Sequence, residues 1–348
     1  MSTCDLTGAL SRGLTLIASD DPAERATGCD VLGDASDRNE AVRAEAASAL
    51  LRLAERESEH DVLRSLAEAI GSTGDQRAVP VLIALAGHQD AEVRRGAACS
   101  FAWVATGRPD GSDVRALIAL TRDQDPEVRN WATFTLGFQL EADSPAIRAA
   151  LWERTTDGDP DAREEGIHGL ARRRDRRAVP LLVGLLEAPE GAHVRTFGAA
   201  RIMGVPELLP ALLGYEPDGV GVTAAVSACD PRQRARLDAA AWELVCALHR
   251  LRPDLDASVS MPLFDHGMSL GLVPARGSAG YDVAALLERA NGDPARAAEL
   301  VASDLPAGGA LLDEPEGDVT EDVENGPAAP SPGQQRPAKA PSTGGDPA

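Results

Sequence analysis

Lysine and aromatic residues are scarce in this 348-residue sequence, and it has no long apolar run. The single lysine is Lys339, so a phosphate-loop, Schiff-base or kinase-type lysine is excluded from the rest of the chain. Aromatic residues make up only 3% of the composition, while alanine and leucine abound, which favours closely stacked helices over a β-sandwich or barrel. Because no apolar run reaches the length of a membrane span, we expect no transmembrane helix.

Positive charge is also in deficit, since 34 Lys and Arg stand against 55 Asp and Glu, for a net charge of −21. Such a chain repels phosphate backbones and anionic lipids, which disfavours nucleic acid and membranes as partners. The five cysteines form no C-x-x-C pair and are odd in number. We therefore expect reduced thiols in a cytoplasmic protein.

One short motif recurs along the chain at nearly constant spacing. The sequence DAEVR at 90–94 is followed by DPEVR at 125–129 and DPDAR at 159–163, in steps of 35 and 34 residues. A further copy, DPAER, occupies 21–25, and a second phrase, D-x-R-A-V-P, occurs at 75–80 and 175–180. A period of this length predicts a solenoid of stacked helical hairpins.

The segment that starts at Asp125 shows why the motif begins a helix. Asp125 can accept hydrogen bonds from the free backbone N–H groups of the first turn, worth roughly 1 kcal/mol, and Pro126 needs no donor there. Arg129 lies off the apolar face of this helix and recurs as Arg94 and Arg163. We interpret these arginines and the Asp caps as a ladder between neighbouring repeats, with ligand binding as the alternative.

Together these motifs resemble the HEAT-like repeats of the phycobilisome-lyase type, which are common in bacteria. The resemblance rests on DPEVR at 125–129, on the A-x-x-x-L-G helix end at 132–137 and on D-x-R-A-V-P-x-L at 75–82, and it covers roughly residues 20–215. It implies an all-α fold, a right-handed α-solenoid of HEAT-like helical hairpins, with the second helix of each pair on the concave face. It does not specify a function, because HEAT arrays serve as scaffolds, bilin lyases, hydroxylases and DNA glycosylases.

The repeat pattern also predicts how the chain is divided. We expect the solenoid over residues 1–252, with degenerate repeats at the N-terminus and regular ones from 77 to 215. A loop-rich linker is predicted for 253–280 and a short helical hairpin for 281–303. Residues 304–348 combine Pro, Gly, Ala and acidic residues with few large apolar groups, so we predict a disordered acidic tail.

Side chains predicted for the concave face differ from one repeat to the next. Aligned positions of the second helices hold, for example, Arg95, Asn130 and Glu164, whereas a structural column would repeat one residue type. These positions also hold several of the scarce aromatic residues, and exposed apolar patches mark binding surfaces. We therefore predict a partner-binding surface, with filling of gaps between repeats as the alternative for Trp131 and Phe138. Its members are Arg95, Trp103, Asn130, Trp131, Phe134, Phe138, Glu164, His168 and Arg172.

Other patterns point to structure rather than chemistry. The string GMSLG at 267–271 matches a nucleophile elbow but lacks the strand–turn–helix context and a following histidine, so we expect a glycine-rich loop. The acidic residues at 157–161 suggest the start of a calcium loop, but its sixth position would be Ala162 instead of Gly and its twelfth His168 instead of Glu. We therefore expect these residues to cap a helix. The histidine–glutamate pairs that hold iron in HEAT-type deoxyhypusine hydroxylases are missing. The basic run at 172–177 predicts a solvated helix cap, with contact to an anionic partner as the alternative.

These observations support two classes of function. The first is a non-catalytic HEAT-repeat scaffold, a cytoplasmic monomer that binds a protein or peptide partner on its concave face. It would have no catalytic residue, metal or cofactor. The alternative is a bilin-lyase-like or other HEAT-fold enzyme that acts on a protein-bound substrate. A HEAT-type DNA glycosylase would need a basic cleft, and the net charge argues against it.

Overall fold

The computed structural model describes residues 3–217, 219–261, 268–273 and 279–305. Helices predominate in this part of the chain, which divides into two compact units, Met1–Leu170 and Ala171–Ala348. From residue 306 onward, the predicted acidic tail lies outside the described residues.

The first unit consists of helical hairpins. Its helices are α1 (Thr3–Leu16), α2 (Pro22–Arg38), α3 (Glu40–Ala54), α4 (His60–Ser72), α5 (Val79–Leu85), α6 (Ala91–Val104), α7 (Ser112–Leu120), α8 (Pro126–Phe134), α9 (Pro145–Arg154) and α10 (Pro160–Arg172), of which the last continues past the unit boundary. The second helices α2, α4, α6 and α8 pack successively against one another and form one layer. The first helices α5, α7 and α9 also pack successively, so each repeat adds one helix to each of two layers.

Aspartate caps set the starts of the second helices, as the motif predicts. The carboxylate of Asp90 accepts hydrogen bonds from the backbone N–H groups of Glu92 and Val93, at 2.8 and 3.3 Å. The carboxylate of Asp125 accepts one from the N–H of Val128, at 3.2 Å. Each cap satisfies donors that have no carbonyl partner within their own helix.

Buried hydroxyl groups join successive second helices. The Ser100 hydroxyl on α6 donates to the carbonyl of Ala67 on α4, at 2.7 Å, and the Thr135 hydroxyl donates to the carbonyl of Ala98 on α6, at 3.0 Å. Both donors are buried, so these bonds satisfy polar groups that would otherwise cost roughly 1–3 kcal/mol each. The layer of second helices is therefore joined by hydrogen bonds as well as by apolar packing.

The second unit begins with further helices and ends with a small mixed subdomain. Its elements are α11 (Ala178–Leu186), α12 (Val194–Met203), α13 (Leu209–Leu212), α14 (Val222–Cys229), α15 (Pro231–Leu251), β1 (Asp256–Ser260), β2 (Ser269–Val273), β3 (Ala279–Asp282), α16 (Val283–Arg289) and α17 (Pro294–Asp304). Helices α12, α14 and α15 pack in succession. Helix α15, predicted as the last solenoid helix, also packs against β1 and α17.

A three-stranded antiparallel sheet occupies the segment predicted as a loop-rich linker. The strand order is β1-β2-β3, with Val259 opposite Leu270 and Leu270 opposite Tyr281. Leu270 and Leu272 alternate with Ser269 and Gly271 along β2, and the two leucines join the buried core formed with α15, α16 and α17. Strands of four or five residues, rich in Ser and Gly, have too few apolar positions to reveal the period of two in the sequence.

The basic run after α10 is structural, and the prediction of a solvated helix cap is wrong for two of its members. Arg173 is buried, with 1% of its surface exposed. Arg174 adopts a positive φ of 49° and donates to the carbonyls of Ile202 and Met261, at 3.2 and 3.0 Å. Arg177 forms an ion pair with Asp175, at 2.6 Å. Folding places carbonyl and carboxylate acceptors around these cations, which the sequence pattern does not show.

Candidate protein-binding face

One side of α6 carries the most exposed aromatic residue among those predicted for the site. Arg95, Cys99 and Trp103 follow one another at intervals of four residues, so they share a face of the helix. Trp103 is 57% exposed, while Arg95 and Cys99 are half-buried. Large aromatic side chains at this exposure are typical of contact surfaces.

Carboxylates from three helices surround this face. Arg95 forms ion pairs with Glu92 on its own helix, at 3.0 Å, and with Glu68 on α4, at 3.3 Å. Burial raises the pKa of the Cys99 thiol to about 12; the Arg95 guanidinium opposes this shift, and the carboxylates of Glu68 and Glu127 add to it. Because Glu127 belongs to α8, carboxylates from α4 and α8 both lie close enough to Cys99 on α6 to act on its thiol.

The aromatic residues of α8 and of the turn that follows it form a row, in which the middle ring is buried and the outer two are half-buried. Trp131 meets Phe134 edge to face with ring centroids 5.9 Å apart, and Phe134 stacks on Phe138 at 5.5 Å. Phe138 lies in a π-helical turn, Thr135–Gln139, which follows α8 directly and packs against α6. Single π turns are frequent at functional sites. Trp131 and Phe138 are half-buried, so part of each ring faces outward.

Three residues predicted for the exposed surface are buried, and their predicted exposure is wrong. Phe134, Asn130 and His168 are only 4%, 4% and 3% exposed. Phe134 lies between the rings of Trp131 and Phe138, which cover it. Alignment of repeats identifies equivalent positions on a helix, but it does not show which of them the neighbouring helix covers.

The remaining two predicted residues lie on α10 and are half-buried. Glu164 belongs to the first compact unit and Arg172 to the second, because the unit boundary follows Leu170. The predicted residues of the first unit that are at least partly exposed on α6, on α8 and in the π turn after α8 are thus Arg95, Trp103, Trp131 and Phe138.

An acidic row at the start of the second helices was missed as part of this face. Glu92, Glu127 and Asp161 occupy the third position of the repeated motif, and all three are exposed. A carboxylate at this position is also a favourable charge at a helix N-terminus. An acidic residue recurs at this position, one turn before Arg95 in α6 and one turn before Trp131 in α8. This recurrence is the sequence signal that could have identified the acidic row as part of the face.

The motif arginines form the predicted structural ladder. Arg94 makes a bidentate ion pair with Asp123 of the next repeat, at 2.7 and 2.8 Å, and Arg129 makes one with Asp157, at 2.9 Å for both bonds. Arg94 also donates to the carbonyl of His88, at 2.9 Å, at the end of the preceding hairpin. Cross-links between repeats are confirmed at Arg94 and Arg129, but the capping aspartates predicted as their acids are wrong, because each acid lies two residues before the cap.

The ladder carboxylates are held ionised by these bonds. Hydrogen bonds from Arg129 are the main reason that the pKa of Asp157 lies below its usual range, although burial acts in the opposite direction. Burial is the largest influence on Asp123, yet the hydrogen bonds from Arg94 and from the Asp125 N–H outweigh it and lower the pKa. Because the guanidinium N–H groups of Arg94 and Arg129 already donate to these aspartates, the two arginines are cross-links between repeats and not ligand-binding groups.

The predicted capping role of residues 157–161 is also confirmed. The Asp159 carboxylate accepts a hydrogen bond from the Ala162 N–H, at 2.9 Å, and Asp157 binds Arg129 and Arg154. No cluster of three or more potential metal ligands occurs among the described residues. Ser269, in the string that matches a nucleophile elbow, lies within β2 opposite Ser260, whereas Gly267 lies outside the described part.

The structure is that of a helical-hairpin repeat protein. Its helices are paired, its second helices form a layer, and its cross-links recur with the repeat. Residues 12–102 and 114–203 match the family of HEAT repeats, and together they make up more than half of the chain. The chain therefore belongs to the HEAT-repeat family, which confirms both the predicted family and the predicted α-solenoid class.

Two solved structures are similar to this chain, and the first supports the fold. YibA from Escherichia coli is 23% identical, with 64% of this chain and 81% of that chain covered and a TM-score of 0.50. The complex of CpcE and CpcF of phycocyanin lyase from Nostoc sp. PCC7120 is 18% identical, covering 63% and 86%, with a TM-score of 0.43. No curated protein matches the chain significantly. In the described residues, no helix has the length and apolarity required to cross a membrane.

Proposed function

We propose that the face formed by α4, α6 and α8 binds a protein or peptide segment that carries both apolar and cationic side chains, and that the protein acts as a non-catalytic scaffold. The observation that carries the proposal is the exposed ring of Trp103, on the side of α6 that also carries Arg95, which pairs with the carboxylates of Glu68 and Glu92. A surface that offers both an aromatic side chain and carboxylates favours a partner with an apolar anchor of its own and the opposite charge.

The aromatic and acidic features extend over more than one repeat. Trp131 and the π turn that carries Phe138 lie one repeat further on, and the exposed row of Glu92, Glu127 and Asp161 adds one carboxylate per repeat. A segment that ran across the repeats would meet an apolar contact and a negative charge on each helix. The free thiols of Cys29 and Cys229 fit the cytoplasmic location that we also propose.

The proposal is tested with immobilised full-length protein and quantitative mass spectrometry of the captured proteins, followed by titration of each captured partner. We expect Trp103→Ala to weaken binding at least tenfold, because a central tryptophan contributes about 2 kcal/mol or more. The matched control is Trp242→Ala on α15, whose ring is 70% exposed and lies in the other unit. Retention of every partner with unchanged affinity by the Trp103 variant would overturn the proposal.

Charge provides a second, independent readout. Glu127→Lys is expected to weaken a cationic partner and to reduce the dependence of its affinity on salt. Glu45→Lys, on the exposed side of α3, makes the same change of charge outside the face and serves as the control. Equal effects of the two substitutions would show that only net charge matters. The lyase and glycosylase alternatives stay predictions.

A further inference from the structure

A shallow groove of about 540 Å³ lies in the second unit, along the N-terminal half of α15 and against α16. Its floor is apolar and consists of Leu237, Ala240 and Leu287. Arg232 and Arg236 line the same groove, and both are exposed. Asp230 and Gln233 complete the lining, so the groove combines apolar surface with two guanidinium groups and one carboxylate, on a chain whose net charge is −21.

The two groove arginines differ from most cations in this structure. Arg232 and Arg236 form no ion pair and donate no side-chain hydrogen bond to any residue that the structure describes. Nearby on the same helix, Arg234 pairs with Asp238 at 3.3 Å, and at the helix end Arg252 pairs with Asp254 at 2.8 Å. Arg232 interacts with the Asp230 carboxylate only at longer range, without an ion pair, so both guanidinium groups keep hydrogen-bond donors for a ligand with carboxylates next to aliphatic groups.

The chain itself contains such a sequence shortly after its last described residue. Residues 311–316 read Leu-Leu-Asp-Glu-Pro-Glu, with two aliphatic side chains followed by three carboxylates. The chain leaves α17 at Leu305, whose carbonyl accepts a hydrogen bond from Arg252 at 3.0 Å. Leu305 is thereby held at the C-terminal end of α15, the same helix whose N-terminal half lines the groove.

The distances along the helix and along the chain agree. From Arg252 back to Arg236 is 16 residues, or about 24 Å of α-helix. From Leu305 to Asp313 is eight residues, which span up to about 28 Å when extended. Leucines 311 and 312 would then reach Leu237 and Ala240 when the carboxylates reach the arginines.

We propose that residues 311–316 bind in this groove, with the leucines on its apolar floor and the carboxylates on Arg232 and Arg236. Attachment to the same chain favours this occupant over a separate acidic peptide, because a short tether gives an effective concentration in the millimolar range. The groove is thus an intramolecular docking site for an acidic segment, on a unit other than the one that carries the proposed partner-binding face.

Hydrogen exchange of the full-length protein, followed by mass spectrometry of peptides that cover residues 306–320, tests the proposal. We expect exchange of these amides to be about tenfold faster in Arg232→Glu/Arg236→Glu than in the unsubstituted protein, the ratio for an effective concentration ten times the dissociation constant. Changing Asp313, Glu314 and Glu316 to Arg in the same variant restores opposite charges and is expected to restore slow exchange.

The matched control is Arg250→Glu/Arg296→Glu, which makes the same change of charge at exposed sites on α15 and α17 outside the groove. Circular dichroism of each variant checks that the helices are intact. Equal exchange in the unsubstituted protein and the groove variant would overturn the proposal. So would equal loss of protection in the control, because the attraction would then be a general effect of charge.

Discussion

Two ion pairs between consecutive repeats have similar geometry but very different burial, and this difference allows a quantitative test. Arg129 binds Asp157 at 2.9 Å, and Arg122 binds Glu153 at 2.7 Å. The side chains of the first pair are 18% and 4% exposed, whereas those of the second are 49% and 44% exposed. We predict that Arg129→Ala destabilises the protein far more than Arg122→Ala does.

The expected magnitudes follow from what each substitution leaves behind. Removal of Arg129 leaves the buried Asp157 carboxylate with one remaining cation, Arg154, at 2.9 Å. It also removes the donor to the Asp123 carbonyl, at 3.0 Å. Breaking a buried pair costs about 3–5 kcal/mol, and the remaining bond to Arg154 places our expectation near the lower limit, about 3 kcal/mol. The exposed Arg122 pair contributes about 0–1 kcal/mol.

Urea unfolding followed by circular dichroism measures the free energy of unfolding of both variants. Native-state hydrogen exchange in α8 and α10 is needed as well, because repeat arrays can unfold in parts. The double variant Arg129→Ala/Asp157→Ala is expected to be more stable than Arg129→Ala alone, since it removes the unpaired carboxylate. If Arg122→Ala costs as much as Arg129→Ala, burial does not determine the strength of these cross-links and the reasoning fails.

Four further outcomes are expected. Gly169→Ala should destabilise by about 1–3 kcal/mol in the same urea assay, because its Cβ would lie 2.8 Å from the Gly137 Cα. Gly184→Ala should stabilise by about 0.5–1 kcal/mol, because this exposed helical position has nothing within 4 Å. The lowered pKa of Asp157 contributes stability that is present above about pH 4 and lost as pH falls through its folded-state pKa, so Arg129→Ala should lose less stability on acidification. Burial raises the pKa of Cys29 to about 12, so alkylation by iodoacetamide at neutral pH should require unfolding.

Three of these expectations would be contradicted by the following outcomes. A destabilising Gly184→Ala would mean that helix propensity does not govern the exposed side of α11. Parallel acid-unfolding curves for the unsubstituted protein and Arg129→Ala would remove the ladder as a source of pH dependence. Rapid labelling of Cys29 in the folded protein would show that α2 opens on the timescale of the reaction.

Helix positions could be predicted from the sequence because their causes are local. An aspartate cap, a proline in the first turn and an apolar face lie within a few residues of one another, and they recur at 90–94, 125–129 and 159–163. The same period was enough to predict cross-links between neighbours. It did not identify Asp123 and Asp157 as the acids, because a partner about 28 residues away is brought into contact only when the helices stack.

The sheet and the site needed the tertiary structure. The strands of the second unit are too short and too rich in Ser and Gly to show a period, and they exist because Leu270 and Leu272 are covered by α15, α16 and α17. On the candidate face, the alignment of repeats predicted that Trp103 and Phe134 are both exposed. Only packing decided that Trp103 stays exposed while Phe134 is buried between two other rings.

The chain's own order of residues determined that it forms HEAT-type helical hairpins, because capping and amphipathic spacing act over one or two helical turns. Exposure, ion pairing and the closure of a groove depend on atoms that are distant in sequence. The tertiary structure therefore decided which arginines are saturated, as Arg94 is by Asp123, and which, like Arg232 and Arg236, face a groove with no partner among the described residues.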